Sequence, residues 1–193
     1  MIVVMPNGNL SLPGAPPVPL GVAARSLDAA GLVARMAAIS KLHDAIGEEL
    51  LKDVVPLIEQ RYRTLTGPQN RALAGMAMGG AEVLRIGPAR LDTFAYLGVF
   101  SEGLQQGPGA AVAPDFEQRN AAFFNNAART NAQLKLFWIS IGKHDEAIQD
   151  GAKQLSDLLT RHAIRHEFHE SSGGHTWINW RHNLADFAPL LFR

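Results

Sequence analysis

Short apolar runs alternate with glycine-rich turns and helical segments through most of the chain. Residues 71–74, 134–141 and 165–170 have the length and composition of strands. Residues 48–62 repeat apolar side chains at helical spacing, although Pro56 must begin, kink or interrupt that helix. Residues 80–87 predict a shorter helix that ends at a Gly-Pro pair. Strands that alternate with helices predict a three-layer α/β sandwich with a mostly parallel sheet.

Two stretches rich in glycine and proline are typical of irregular loops. Residues 10–21 form the first, and an alanine-rich stretch that predicts partial helix follows it up to Ala45. Residues 101–114 form the second, directly after an apolar strand. Because parallel strands end at one rim of a sheet, this second loop either borders a ligand site there or is a plain connector.

The segment between the first predicted strand and the short helix has an unusual frame. Residues 75–79 are Gly-Met-Ala-Met-Gly, the frame of a nucleophile elbow with Ala77 where a nucleophile belongs. An elbow turns sharply from a strand into a helix and displays its middle side chain above the sheet. The alternative is a glycine pair that only lets a helix pack closely on a strand.

Two polar residues further along the chain favour the elbow. Asp145 follows the strand at 134–141, and His175 follows the strand at 165–170. Both are therefore expected on loops at the carboxyl ends of strands, where open α/β sheets place their ligand sites. The chain order of nucleophile position, acid and histidine is that of the α/β-hydrolase triad.

Three stretches resemble the esterase-D-like enzymes, in particular the feruloyl and acetylxylan esterases of carbohydrate esterase family one. They are residues 71–80 (RALAGMAMGG), 91–101 (LDTFAYLGVFS) and 173–180 (GGHTWINW), and residues 184–192 are similar too. The resemblance implies an α/β-hydrolase fold and carboxylic ester hydrolysis through an acyl-enzyme, on plant-wall polysaccharides or small esters. It implies no cofactor, because serine esterases supply nucleophile, base and oxyanion hole from the protein.

The same resemblance implies a role for each motif residue. Ala77 occupies the serine position, Asp145 the acid position and His175 the base position, while the backbone N–H of Met78 is an oxyanion donor. Since alanine has no hydroxyl, we expect this chain to be inactive or severely impaired. Either it is an impaired esterase, natural or engineered, or it is a non-catalytic relative that binds acylated carbohydrate or a protein partner.

Three further residues are candidates for substrate binding. Trp177 and Trp180 either wall an aromatic acyl or sugar pocket or belong to the core. Ser101 begins the second loop and is the third candidate for substrate binding. As a substitute nucleophile it would lack the elbow geometry.

The front of the chain also departs from the family. Residues 2–5 resemble the family strand one crossover before the elbow, whereas family members carry three further strands and a His-Gly loop ahead of it. We therefore expect residues 1–193 to be one esterase domain, corresponding to the carboxyl-terminal portion of the family domain. An exposed sheet edge would then favour a homo-oligomer.

Composition and charge argue against several classes of partner and chemistry. The 18 basic and 18 acidic residues balance, which argues against nucleic acid or an anionic membrane as a partner. There is no cysteine, so disulfides and thiol catalysis are excluded. No signal peptide is recognisable, and the compartment stays open, a secreted or periplasmic parent included. His162, His166 and His169 suggest a metal by number, but their spacing is not that of known ligand sets, and we expect no metal.

Overall fold

The computed structural model describes residues 1–7, 28–104 and 115–193. By their contacts these residues form two compact units, with the boundary between Thr64 and Leu65. A single domain over residues 1–193 stays a prediction. The loop predicted at 10–21 lies outside the described residues, as does most of the loop at 101–114.

The first unit contains a long helical segment. Helix α1 spans Ala29–Glu49, a π-helical segment spans Leu50–Val54, and helix α2 spans Val55–Arg61. In the widened turn the N–H of Val55 donates to the carbonyl of Leu50, and Pro56, which has no N–H, follows directly. Of the three expected effects of Pro56, the structure shows the first, because Pro56 lies in the opening turn of α2 directly after the π-helical segment.

The strand predicted at residues 2–5 is wrong. Residues 1–7 have neither helix nor strand, and all of their side chains are exposed. An apolar run becomes a strand only where a neighbouring strand accepts its backbone hydrogen bonds and a layer covers its side chains.

The second unit holds a parallel sheet. Its described strands are β1 (Ala72–Met76), β2 (Tyr96–Phe100), β3 (Leu136–Gly142) and β4 (Glu167–Ser171), in the spatial order β1-β2-β3-β4. The register pairs Ala74 with Gly98, and Gly98 with Trp138. Every residue of β2 is buried, and so is nearly all of β3, which is expected of parallel strands covered on both faces. The predicted α/β sandwich is confirmed.

Helices connect successive strands, and a last helix follows β4. In chain order they are α3 (Met78–Ile86), α4 (Phe116–Arg119), α5 (Ala121–Phe124), α6 (Ala127–Gln133), α7 (Gln149–Arg161) and α8 (Trp177–Phe187), with 3₁₀ turns at Pro68–Asn70 and Ala188–Leu190. The strands predicted at 71–74, 134–141 and 165–170 and the short helix predicted at 80–87 are each present within two residues of their expected bounds, where assignments ordinarily vary. None of the helices in the described ranges is long and apolar enough to cross a membrane.

Helix α8 packs on one face of the central strands. Phe187 lies edge-on to Phe100 at 5.5 Å between ring centroids and 6.1 Å from Trp138. A Cβ on Gly98 would lie 2.9 Å from the Phe187 ring, so the glycine lets this helix approach the sheet closely. The resulting aromatic cluster lies beneath the candidate site.

Candidate active site

Ala77 has the backbone of an elbow. It lies between β1 and α3 with φ 48° and ψ −120°, which is a strained conformation for a residue with a side chain. Such conformations cost about 1–3 kcal/mol each and persist where neighbouring structure enforces them. Here the Ala77 N–H donates to the Phe100 carbonyl at 2.9 Å, and the Ala77 carbonyl accepts from the Ala81 N–H at 3.1 Å.

The elbow needs glycine at two places. A Cβ on Gly75 would lie 2.1 Å from the carbonyl oxygen of Gly79, and one on Gly80 would lie 2.7 Å from the Cβ of Glu102. A Cβ on Gly79 would meet open space. The close approach therefore depends on Gly75 and Gly80, and sequence reasoning missed Gly80. Close packing alone explains these glycines but not the positive φ of Ala77.

Asp145 and His175 form a hydrogen-bonded pair. Asp145 follows β3 in a turn closed by its N–H and the Gly142 carbonyl at 3.0 Å. Its carboxylate is 2% exposed and accepts from His175 Nδ1 at 2.9 Å, while the His175 side chain is 44% exposed. A carboxylate bound at Nδ1 fixes the tautomer that leaves Nε2 free to accept a proton. The residues expected at the acid and base positions are therefore in direct contact.

Backbone hydrogen bonds join the two loops that carry this pair. The Lys143 N–H donates to the Ser171 carbonyl at 2.8 Å, and the His144 N–H donates to the Gly173 carbonyl at 3.0 Å. A Cβ on Gly142 would lie 2.2 Å from the Gly173 oxygen, so only glycine lets the loops approach this closely. The acid and the base are thus positioned by one shared backbone framework.

Trp180 connects the elbow with the histidine. It is 8% exposed and belongs to the aromatic cluster on which Ala77 packs. Its ring lies edge-on to the His175 imidazole, with centroids 4.9 Å apart and planes at 86°. Its Nε1–H donates to Ser101 Oγ at 2.9 Å. Trp180 therefore belongs to the core beneath the histidine.

Ser101 supports Trp180 and does not line an open site. It is 0% exposed, directly follows β2, and has φ 51°. Its hydroxyl is buried and accepts a hydrogen bond from the indole N–H of Trp180. The prediction that Ser101 is a substrate-binding residue is therefore corrected.

Trp177 and Met78 are exposed apolar residues at the site. Trp177 begins α8, is 70% exposed, and lies edge-on to Trp180 at 5.3 Å. Met78 begins α3 and is 45% exposed. The N–H of a first helical residue has no carbonyl to bond within its own helix, so it is suited to binding an oxyanion. That role for Met78 stays a prediction.

The three histidines that suggested a metal lie in separate contacts. His162 caps the C-terminus of α7 and contacts Glu117 at 2.6 Å. His166 contacts the Ser156 hydroxyl at 2.8 Å. His169 stacks on the buried indole of Trp138, with ring centroids 3.6 Å apart. His166 directly precedes β4, and His169 lies on that strand. Within the described ranges, no group of three or more histidine, aspartate or glutamate side chains is arranged to hold a metal ion.

Comparison with known proteins gives a consistent result. A family model described as "Putative esterase" matches residues 1–191. A curated relative, an endo-1,4-beta-xylanase/feruloyl esterase from Xylanibacter ruminicola, is 24% identical over 145 residues, which are 75% of this chain and 17% of that protein. A CE1 ferulic acid esterase from Anaeromyces mucronatus, in complex with ferulic acid, has a TM-score of 0.66 at 26% identity. That alignment covers 79% of this chain and 56% of the other.

A more distant structure supports the fold alone. An S-formylglutathione hydrolase from Staphylococcus aureus has a TM-score of 0.53 at 19% identity and covers 77% of this chain and 65% of its own. The chain thus spans between about a sixth and two thirds of the length of the proteins it matches.

Proposed function

The chain belongs to the esterase family whose model spans it, and we propose that its site is a serine-esterase site with alanine in place of the nucleophile. The observation that carries this proposal is the 2.9 Å hydrogen bond between Asp145 and His175. Trp180 contacts the His175 ring and belongs to the cluster that also packs against Ala77. The elbow and the acid–base pair therefore both contact this aromatic cluster, which supports their belonging to one site.

A serine at position 77 would complete the reaction. Its Oγ would attack the acyl carbonyl carbon while His175 Nε2 takes the hydroxyl proton and Asp145 stabilises the resulting imidazolium. The N–H of Met78 would bind the oxyanion. Collapse breaks the ester bond, and His175 returns the proton to the leaving alcohol. Water then attacks the acyl-serine by the same steps and releases the carboxylic acid.

With alanine at position 77, the reaction cannot form its first bond, the one between the nucleophile and the acyl carbon. The Ala77 methyl has no lone pair to offer the carbonyl carbon, and losing the serine from a triad costs about a million-fold in turnover. Backbone, acid and base are nevertheless retained. The chain is accordingly a strongly impaired esterase or, as a second candidate favoured by Ala77 itself, a non-catalytic protein that binds acylated carbohydrate or a protein partner.

Feruloyl or acetyl esters of plant-wall polysaccharides are the substrate class we infer. Two of the matched proteins are named feruloyl or ferulic acid esterases, one of them in complex with ferulic acid. Trp177 offers an exposed indole beside the site, and stacking an aromatic ring on it contributes about 0.5–1.5 kcal/mol beyond the buried area. An acetyl group has no ring to stack, so this residue favours the feruloyl esters.

The test is Ala77→Ser, assayed with 4-nitrophenyl acetate and methyl ferulate. We expect hydrolysis to rise by several orders of magnitude over the unsubstituted chain. The matched control is Ala77→Ser combined with His175→Ala, which keeps the hydroxyl but removes its base and should return the rate to background. Equal rates in the unsubstituted chain and Ala77→Ser would show that the elbow is not the reactive site.

Calorimetric titration of the unsubstituted chain addresses the second candidate. Ferulic acid and feruloylated xylo-oligosaccharides are the probes. Binding that persists while Ala77→Ser stays inactive would favour the non-catalytic protein. Hydrolysis by Ala77→Ser would favour the impaired esterase.

A further inference from the structure

Asn179 bonds both sides of the loop that carries His175. It lies on α8 and is 3% exposed. The Ser171 hydroxyl donates to Asn179 Oδ1 at 2.6 Å, and Asn179 Nδ2 donates to the Gly174 carbonyl at 3.2 Å. The buried side-chain amide of Asn179 therefore forms hydrogen bonds to both ends of the turn that connects β4 to His175.

The same turn is held from its other side by the Asp145 loop. A Cβ on Gly173 would lie 2.6 Å from Asn179 Cγ, so the amide packs directly on this peptide. The Gly173 carbonyl in turn accepts from the His144 N–H, next to Asp145. Residues 171–174 thus lie between the buried amide and the loop of the acid.

We propose that Asn179 is a positioning residue that keeps His175 Nδ1 within hydrogen-bond distance of Asp145. The histidine side chain is nearly half exposed, so water competes for its hydrogen bond and the backbone must supply the restraint. Hydrogen bonds made by a buried amide meet no such competition. The effect on catalysis rests on the proposed esterase function, whereas the effect on geometry does not.

Asn183 offers a matched control one turn further along α8. It is the same residue type and is 4% exposed, but no hydrogen-bond partner for its Nδ2 lies among the residues that the structure describes. Asn183→Ala removes the same volume from the same helix, and the described hydrogen bonds of residues 171–174 do not involve Asn183.

The geometry is tested by proton NMR in the unsubstituted chain, where catalysis plays no part. The Nδ1–H of His175 should give a resonance far downfield of the amides, assigned by its loss in His175→Ala. We expect Asn179→Ala to abolish this resonance or broaden it through solvent exchange, and Asn183→Ala to retain it. A folded Asn179→Ala protein with an unchanged resonance would overturn the proposal. Where Asn179→Ala does not fold, Asn179→Asp keeps the shape but removes the donor to Gly174, and the same criterion applies.

Catalysis is tested in the Ala77→Ser background. A displacement of about 1 Å in a catalytic group costs about 100-fold in rate, so Asn179→Ala should lower kcat by that factor with little change in KM. A loss of activity no larger than that of Asn183→Ala would overturn the catalytic part of the proposal. If Ala77→Ser itself is inactive, the proposed function fails, and the NMR comparison still decides the role of Asn179.

Discussion

Replacing Ser101 by alanine leaves a buried indole N–H without its acceptor. Ser101 is 0% exposed and its hydroxyl lies 2.9 Å from Trp180 Nε1, so no water can take its place without a rearrangement of the core. An unsatisfied buried donor costs about 1–3 kcal/mol. We therefore expect Ser101→Ala to lower the free energy of unfolding by that amount.

Ser101→Gly separates the hydrogen bond from the backbone strain. Both variants lose the hydroxyl, but Ser101 has φ 51°, where a Cβ costs about 1–2 kcal/mol. The glycine variant should therefore be more stable than the alanine variant by about 1 kcal/mol. Equal stabilities would mean that the chain relaxes out of this conformation once the hydroxyl is lost.

A double-mutant cycle with Trp180→Phe isolates the bond itself. Trp180→Phe keeps a six-membered aromatic ring in the cluster and removes the pyrrole part of the indole with its N–H. In urea unfolding followed by far-UV circular dichroism, the two single variants and the double variant should show a coupling energy of about 1 kcal/mol. Additive single effects would refute the reasoning that this hydrogen bond stabilises the wall beneath His175.

Two further predictions concern the elbow and the exposed indole. Gly75→Ala places a methyl 2.1 Å from the backbone oxygen of Gly79 and should lower the free energy of unfolding by about 3 kcal/mol or more. Gly79→Ala places its methyl in open space and should not lower it. Thermal unfolding measures both variants. Equal losses from both would contradict the assigned steric role. Trp177→Ala should leave the free energy of unfolding within about 0.5 kcal/mol of the parent, because the side chain is 70% exposed. The same variant should weaken ferulic acid binding in calorimetry, and unchanged binding would exclude Trp177 from the substrate site.

Three strands of the sheet were predictable because their signals are local. The apolar run at 134–141 and the alternating run at 165–170 each lie close to the strand observed there, and each leads into the loop that bears a site residue. Since parallel strands end at one rim, Asp145 and His175 were expected on loops there, and the family resemblance gave them the acid and base positions. The structure brings them into contact at 2.9 Å, a distance that the sequence does not supply.

The errors and omissions all depend on long-range neighbours. Residues 2–5 have strand composition, but the pattern cannot say whether another strand is present to bond them. Ser101 looked like a rim residue from its place after a strand, yet the indole of Trp180, 79 positions further on, encloses it. Asn179 gave only a weak signal, a polar residue on a helix face shared with buried aromatics. Its two hydrogen bonds are visible only once β4 and α8 are folded together.

The elbow at Ala77 does not depend on the nucleophile that it lacks. Its positive φ is enforced by a hydrogen bond to β2 and by the first turn of α3, and the space for the turn comes from Gly75 and Gly80. None of these contacts involves a hydroxyl, so alanine bears the same strain that a serine would, about 1–3 kcal/mol. A side chain that differs by one oxygen atom should therefore enter this backbone without moving it. Consequently the rate of Ala77→Ser reports on the acid–base pair and the oxyanion donor, and not on whether the elbow can form.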